Sequence, residues 1–327
     1  MNNLFDKLNE FLLQYDNFIV MGHENPDLDS LGSALGFCEI IESKKKKAYL
    51  FLNKDHLENY NNNINQAFDK MKKDIYCVDK TTYKEVIGNT LLIILDVHQQ
   101  DRLEYKELLD EFDTIVIDHH IKSPKYIKQC LFMYLDSNLS SMCELITYYS
   151  NYNNIKLDST IATIMLGGIE IDTNSYNVKT TARTYEASSL LMNMGADPIL
   201  KQELLKESKE EYIKRADFIK NSFMIKDNIA MCILRSKCSK EELAEVAESL
   251  LTFVNVEASF SLGKLDDNLI GISARSLGKF NVEQIMVKFG GGGHLSNAAA
   301  QVKNATLREI KQQIKNVLEE TSENNID

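Results

Sequence analysis

The chain has 327 residues, 44% of them hydrophobic and 26% charged, a profile that excludes disorder as the main state and supplies apolar material for more than one core. At ~100–200 residues per domain, two domains are expected. With 37 Lys and Arg against 48 Asp and Glu, the formal charge is −11, which argues against a broad basic face for duplex DNA and leaves small anionic ligands open, because local fields can oppose the net charge.

The first 140 residues alternate short apolar runs, at 18–21, 48–52, 91–95 and 114–117, with helical patterns or polar loops. Short buried strands joined by helical crossovers predict an α/β fold around a parallel, doubly wound sheet. In such sheets ligands bind beyond the C-terminal strand ends, so the polar residues after each run are the ones to inspect. The four lysines at 44–47 read as a solvated helix end, favoured by the helix dipole. His56, in an Asn-rich stretch, reads as a surface residue.

Segments 140–151, 159–171 and 182–194 read as helices, and Gly195 as a stop. Asp197 and Pro198 then read as an N-cap with Pro in the first turn. A single Lys- and Glu-rich helix reaching about Ser222 is predicted next, as a connector between domains. The second half predicts strands at 229–234, 254–262 and 269–274, a helix at 239–251, a glycine run at 290–293 and a closing amphipathic helix from Thr306 to about Glu320. Cys38, Cys77, Cys130, Cys143, Cys232 and Cys238 include no C-x-x-C pair. They read as reduced thiols of a cytosolic protein rather than a disulfide framework or zinc site. No apolar run approaches the ~18 residues that span a bilayer.

Four segments stand directly after strands or late in a helix: His23, Asp27 and Asp29 in an H-x-x-x-D-x-D pattern; Asp96 with His98; Asp118-His119-His120; and Asp172-Thr173. Taken singly, each reads as turn or capping chemistry. Together, at the ends of neighbouring parallel strands, they would bring at least four carboxylates and several imidazoles to one rim. Unpaired carboxylates so placed would repel one another and raise each other's pKa values. Divalent cations resolve that conflict, and carboxylate and imidazole donors without thiolate suit Mn²⁺, Mg²⁺ or Fe²⁺ better than structural zinc.

In this order and spacing the four segments resemble those of the DHH phosphoesterases. The resemblance extends to the second half, where Arg275 in ISARS and the stretch GGGGHLSNAAA look like a DHHA1 substrate-binding domain. The wording HENPDLDSLGSALG, LDVH, IDHH and GGGGHLSNAAAQ is most similar to the catalytic portion of GdpP-type cyclic-di-AMP phosphodiesterases. It implies a DHH domain over 1–195 with a mostly parallel central sheet flanked by helices, a helical linker over 196–226, and a smaller α/β DHHA1 domain over 227–327. The membrane helices, sensory domain and degenerate cyclase-like domain of full-length GdpP proteins have no counterpart here, as in an excised catalytic part or a naturally short homologue.

The resemblance also implies roles. His23 and Asp27 would hold one divalent ion, Asp29, His119 and Asp172 a second, and Asp96 would bridge them. Mn²⁺ comes first, with Mg²⁺, Fe²⁺ or Co²⁺ as alternatives. Such ions, ~3.5–4 Å apart, lower the pKa of a shared water until hydroxide is available for in-line attack on phosphorus. His120 would face the substrate phosphate, while Asp118 and His98 would orient ligands from behind. Ser141, with Ser140 and Glu144, resembles a helix start near the substrate and reads equally as an N-cap. Arg183 reads as a phosphate clamp or a surface charge. Arg275, Gly291, Gly292, Gly293 and His294 would contact the distal nucleotide, with the dinucleotide between the domains.

The activity so implied is a metal-dependent phosphodiesterase opening cyclic-di-AMP to linear pApA, and on to AMP. The neighbouring alternative is a nanoRNA phosphatase acting on pApA, short RNA and 3′-phosphoadenosine 5′-phosphate. A nucleotide-binding module without catalysis and a family II pyrophosphatase are the remaining readings. The family implies a homodimer.

Overall fold

The structure, a computed structural model, describes residues 1–52, 62–71, 76–293 and 295–323. His56 and His294 lie outside the described residues. The chain divides into two compact units, Met1–Lys206 and Glu207–Asp327.

The first unit runs α1 (Asn2–Gln14), β1 (Asn17–Met21), α2 (Leu28–Ser43), β2 (Lys47–Phe51), α3 (Asn62–Lys70), β3 (Cys77–Val78), β4 (Thr90–Leu95), β5 (Asp113–Asp118), β6 (Phe132–Leu135), α4 (Met142–Tyr152), α5 (Ser159–Asp172), α6 (Ala182–Met194) and α7 (Pro198–Leu204). Its sheet has the order β3-β2-β1-β4-β5-β6, with every pairing parallel. The chain order reverses between β1 and β4, the kind of switch point at which open α/β sheets leave a crevice for ligands.

Strand side chains alternate between two cores, as a period of two requires. Phe18 and Val20 of β1 join Leu91, Ile93, Ile115 and Ile117 beneath α1, α2, α4 and α5. Ile19 and Met21 join Leu92, Ile94 and Val116 on the other face, with Tyr83 and Leu108 from the connections. Buried on both faces, the strands read as continuous apolar runs, which is why they were legible in the sequence.

The second unit runs α8 (Lys209–Ile219), β7 (Phe223–Lys226), β8 (Ile229–Lys237), α9 (Lys240–Leu250), β9 (Ala258–Asp266), β10 (Leu269–Ser276), α10 (Val282–Lys288), β11 (Gly292–Gly293), β12 (Asn297–Lys303) and α11 (Leu307–Glu323). Its sheet order is β11-β12-β10-β9-β8-β7, antiparallel except for the β8–β9 pair that α9 connects. Ile229 and Met231 face a core with α10 and α11. Ala230, Cys232 and Leu234 face α9.

Two expectations change, and one segment left unassigned by the sequence takes a structure. The single Lys/Glu-rich helix is two: α7 ends at Leu204, and Ser208 opens α8 with a reciprocal Ser208–Glu211 capping box. That box restarts the helix because it satisfies two otherwise orphaned N–H groups. The strand expected at 254–262 begins at Ala258, since Val254 is 87% exposed and packs on nothing. The small-residue segment after His294 is itself a strand, β12, and Gly291 and Gly293 are fitted to it. A Cβ on Gly291 would stand 2.1 Å from the Ala299 carbonyl, and one on Gly293 2.4 Å from the Asn297 carbonyl. The six cysteines are all free. No described helix is long and apolar enough to cross a membrane.

Candidate metal centre

The four segments singled out in the sequence meet at the C-terminal edge of the parallel sheet. His23 follows β1, Asp96 follows β4, His119 follows β5, and Asp172 ends α5. His23 Nε2 lies 3.5 Å from Asp96 Oδ2 and 3.9 Å from Asp27 Oδ2. His119 Nε2 lies 3.2 Å from Asp96 Oδ1, 3.0 Å from Asp172 Oδ2 and 3.9 Å from Asp29 Oδ2. Three overlapping groups of potential ligands result among the described residues: His23, Asp27 and Asp96; Asp29, His119 and Asp172; and Asp96, Asp118, His119 and His120.

Local folding fixes each donor. Asp27 caps α2: its Oδ1 accepts the N–H groups of Asp29 and Ser30, both at 2.9 Å, and its other oxygen turns to His23. Asp29, fully buried, caps α4 from a distance, accepting from Met142 N (2.7 Å) and Cys143 N (2.8 Å). The positive end of a helix thus stabilises a carboxylate aimed into the site. Asp96 adopts a left-handed backbone, φ 64°, directly after β4. Asp tolerates that region better than most residues, and such conformations gather at functional sites.

His23 Nδ1 lies 2.9 Å from the Glu24 carbonyl, which can only accept, so Nδ1 carries a proton. In the neutral ring, a bare Nε2 lone pair therefore faces two carboxylates. Burial lowers the pKa of His23, but the hydrogen bond to Asp96 and the charges of Asp27 and Asp96 lift it to about 9. His119 is treated alike: burial pulls it down, while Asp172 and Asp96 outweigh that and hold it well above its usual range. Asp29 is driven well above the carboxylate range by burial and then by the charges of Asp172 and Asp96. Asp96 goes the other way, because the His119 and His23 imidazoles set against it overcome its burial.

Asp96 Oδ1 and both ring nitrogens of His119 are buried without a hydrogen-bond partner among the described residues. Buried polar atoms are ordinarily paired. The gaps of 3.0–3.9 Å between donor atoms match the edges of a coordination shell with ligands at ~2.0–2.2 Å. The donor set therefore fits divalent cations. The neighbouring Cys143 thiol does not join it: Sγ faces the Leu28 and Asp29 carbonyls, and burial, then Asp29, push its pKa up.

Asp118, His98 and His120 form a hydrogen-bonded relay beside these groups, with His120 Nδ1 also 3.7 Å from Asp96 Oδ1. Ser123 N donates to His98 Nε2 at 2.8 Å, so His98 carries its proton on Nδ1 and donates it to Asp118 Oδ2. Both His98 nitrogens are engaged, which leaves no lone pair for a metal. Asp118 Oδ1 accepts from His120 N (3.0 Å) and His120 Nδ1 (2.7 Å). The partly exposed His120 ring is thereby oriented through Nδ1. These hydrogen bonds overcome burial and hold Asp118 below its ordinary range.

Ser141 is fully buried and is the N-cap of α4, its Oγ accepting from Glu144 N at 3.0 Å. Arg275 lies in the second unit on β10, with Nη1 donating to Ser273 Oγ and the Ala274 carbonyl, both at 3.0 Å. A Cβ on Gly292 would meet open space.

Sequence reasoning missed what brings α2 and α5 together. A Cβ on Gly168 would fall 2.8 Å from Asp29 Cα, the Leu28 carbonyl and Cys143 Sγ, and one on Gly32 3.1 Å from Met165 Cα. This glycine contact sets Asp29 beside the helix that ends in Asp172. The signal was present as Gly32-x-x-x-Gly36 and Gly167-Gly168 inside helical patterns.

Comparison with known proteins places this geometry. The N-terminal domain of the DHH family matches residues 17–169, and the DHHA1 domain matches 226–323. The chain carries a DHH N-terminal domain and a DHHA1 domain. It is 36% identical over 325 residues to the cyclic-di-AMP phosphodiesterase GdpP of Geobacillus thermodenitrificans, covering 95% of this chain and 48% of that protein. It is 33% identical over 333 residues to GdpP of Bacillus subtilis, covering 98% and 50%. The chain thus spans about half the length of these relatives. Among solved structures, an exopolyphosphatase-related protein from Bacteroides fragilis superimposes with a TM-score of 0.80 at 21% identity, covering 98% of this DHH chain and 96% of the other. That likeness supports the α/β fold of both domains.

Proposed function

We propose that this DHH protein is a metal-dependent phosphodiesterase that opens cyclic-di-AMP to linear pApA. The observation that carries the proposal is the convergence of His23, Asp27, Asp29, His119 and Asp172 around Asp96, whose Oδ1 is buried with no hydrogen-bond partner among the described residues. The resemblance to GdpP proteins over 95% of the chain supports the substrate. In this reading His23, Asp27 and Asp96 hold one divalent ion, and Asp29, His119 and Asp172, with Asp96 between, hold another.

Mn²⁺ is the first choice for carboxylate and imidazole donors without thiolate. Bound there, the ions supply a water acidified to near-neutral pKa and neutralise charge on the phosphate oxygens. The chain's own groups do the rest. Asp118 fixes His120 through Nδ1, so His120 Nε2 is directed at the substrate, where a proton on it would stabilise phosphate charge or pass to the leaving oxygen. His98 holds Asp118 in turn. Arg275 and Gly292 in the DHHA1 unit, with His294, would contact the distal nucleotide.

The test is incubation with Mn²⁺ and equimolar cyclic-di-AMP and pApA, followed by chromatography. Cyclic-di-AMP should be consumed as pApA accumulates. Rapid loss of pApA while cyclic-di-AMP persists overturns the proposal in favour of a linear-dinucleotide phosphatase.

A further inference from the structure

The carboxylate of Glu144 is fully buried in the first turn of α4, two residues beyond the Met142 N–H that Asp29 accepts. Its Oε2 accepts from Ser140 Oγ and from Thr184 Oγ at 2.9 Å. Its Oε1 is buried with no hydrogen-bond partner among the described residues. A buried carboxylate held on one oxygen only is costly unless a cation stands near. The cation is Arg183, the second residue of α6, whose Nε lies 3.9 Å from Oε1.

That contact has an informative shape. A structural Arg–carboxylate pair closes to ~2.7–2.9 Å, commonly with two bonds. Here the approach is longer, comes through Nε, and leaves the side chain 39% exposed. The backbone of Arg183 is pinned, its carbonyl accepting from Tyr148 Oη at 3.0 Å. The charge of the guanidinium also reaches Tyr134 and Asp136 at the end of β6. Arg183 therefore sits at the same sheet edge as the metal ligands, anchored from behind by Glu144. Its two terminal nitrogens make no hydrogen bond to any described residue. A guanidinium whose Nε faces a buried carboxylate, with both Nη groups free of described partners, can receive a phosphate bidentately.

We infer that Arg183 binds a phosphate of the dinucleotide substrate and that Glu144 is the positioning residue that holds it. The inference rests on the function proposed above for its ligand class. Its test does not depend on turnover.

EDTA-treated protein is titrated with pApA, the product in the leading reading and the substrate in the alternative. Arg183→Ala should weaken binding at least tenfold, with Arg183→Lys in between. Glu144→Gln keeps acceptors for Ser140 and Thr184, loses the charge, and should weaken binding about threefold. The double variant Arg183→Ala/Glu144→Gln should bind no worse than Arg183→Ala alone, because Glu144 acts through Arg183. Turnover of cyclic-di-AMP with Mn²⁺ is measured in parallel. Weakened binding without turnover in the wild type upholds the role of Arg183 and removes the proposed activity. A Kd for Arg183→Ala within twofold of wild type, additive effects in the double variant, or no pApA binding by the wild type overturns the inference.

Discussion

A Cβ on Gly168 would stand 2.8 Å from the Cα of Asp29. Two helices from distant parts of the chain touch there through backbone, and the contact sets the spacing between Asp29 and Asp172. Gly168→Ala should therefore force α2 and α5 apart. Overpacking of this kind costs about 1–3 kcal/mol, visible as a lowered Tm. Mn²⁺ affinity measured by calorimetry should fall at least tenfold with it. Unchanged Tm and affinity would show that the helices have slack.

Asp27 combines two tasks that one substitution separates. Asn caps a helix about as well as Asp, so Asp27→Asn should leave the Tm nearly unchanged. The charge facing His23 is lost, however. The His23 pKa, about 9 with Asp27 in place, should drop in the metal-free protein, as read by imidazole NMR. Affinity for one of the two ions should fall while the other is retained. A large loss of Tm would mean that the capping role depends on charge.

The relay of His98, Asp118 and His120 predicts an activity loss without loss of metal. His98→Phe removes the donor to Asp118 and leaves Ser123 N–H unpaired. Partners of this kind typically matter 10–100-fold, and the loss is expected in kcat for cyclic-di-AMP. The unpaired N–H should cost about 1–3 kcal/mol of stability. Metal stoichiometry should stay as in the wild type. A variant that loses its ions would make His98 part of the metal site.

His23 also predicts a pH dependence. Its pKa is raised from 6.5 to about 9 in the metal-free fold, so the proton adds stability that is fully present below about pH 6.5. That contribution is lost as the pH rises through about 9. A metal ion must displace the same proton, so Mn²⁺ binding should release protons at pH 7, and affinity should rise with pH up to about 9. Calorimetry in two buffers of different ionisation enthalpy reads the release directly. Affinity that is flat from pH 6 to 9 would exclude His23 as a ligand.

Much of the first unit was legible in the sequence for a physical reason. β1, β4 and β5 are buried on both faces, so each is an uninterrupted apolar run followed by a polar residue at the sheet edge. His23, Asp96 and His119 are such edge residues, while Asp27, Asp29 and Asp172 stand at helix ends, and their chemistry marked them singly. What the sequence did not yield was contact between remote segments: the Gly168–Asp29 approach, the capping of α4 by Asp29, and the orphaned Glu144 oxygen. β6 and β7 are partly exposed and short, so their patterns were weak. β12 is built from small residues chosen for close packing against Gly291 and Gly293, and its composition resembles a loop.

Electron paramagnetic resonance of the Mn²⁺-loaded protein tests the proposed bridging place of Asp96 most directly. Two ions per chain with an exchange-coupled signal are predicted for the wild type, and loss of the coupled signal for Asp96→Asn. A single uncoupled ion in the wild type, or a coupled pair that survives in Asp96→Asn, would contradict it.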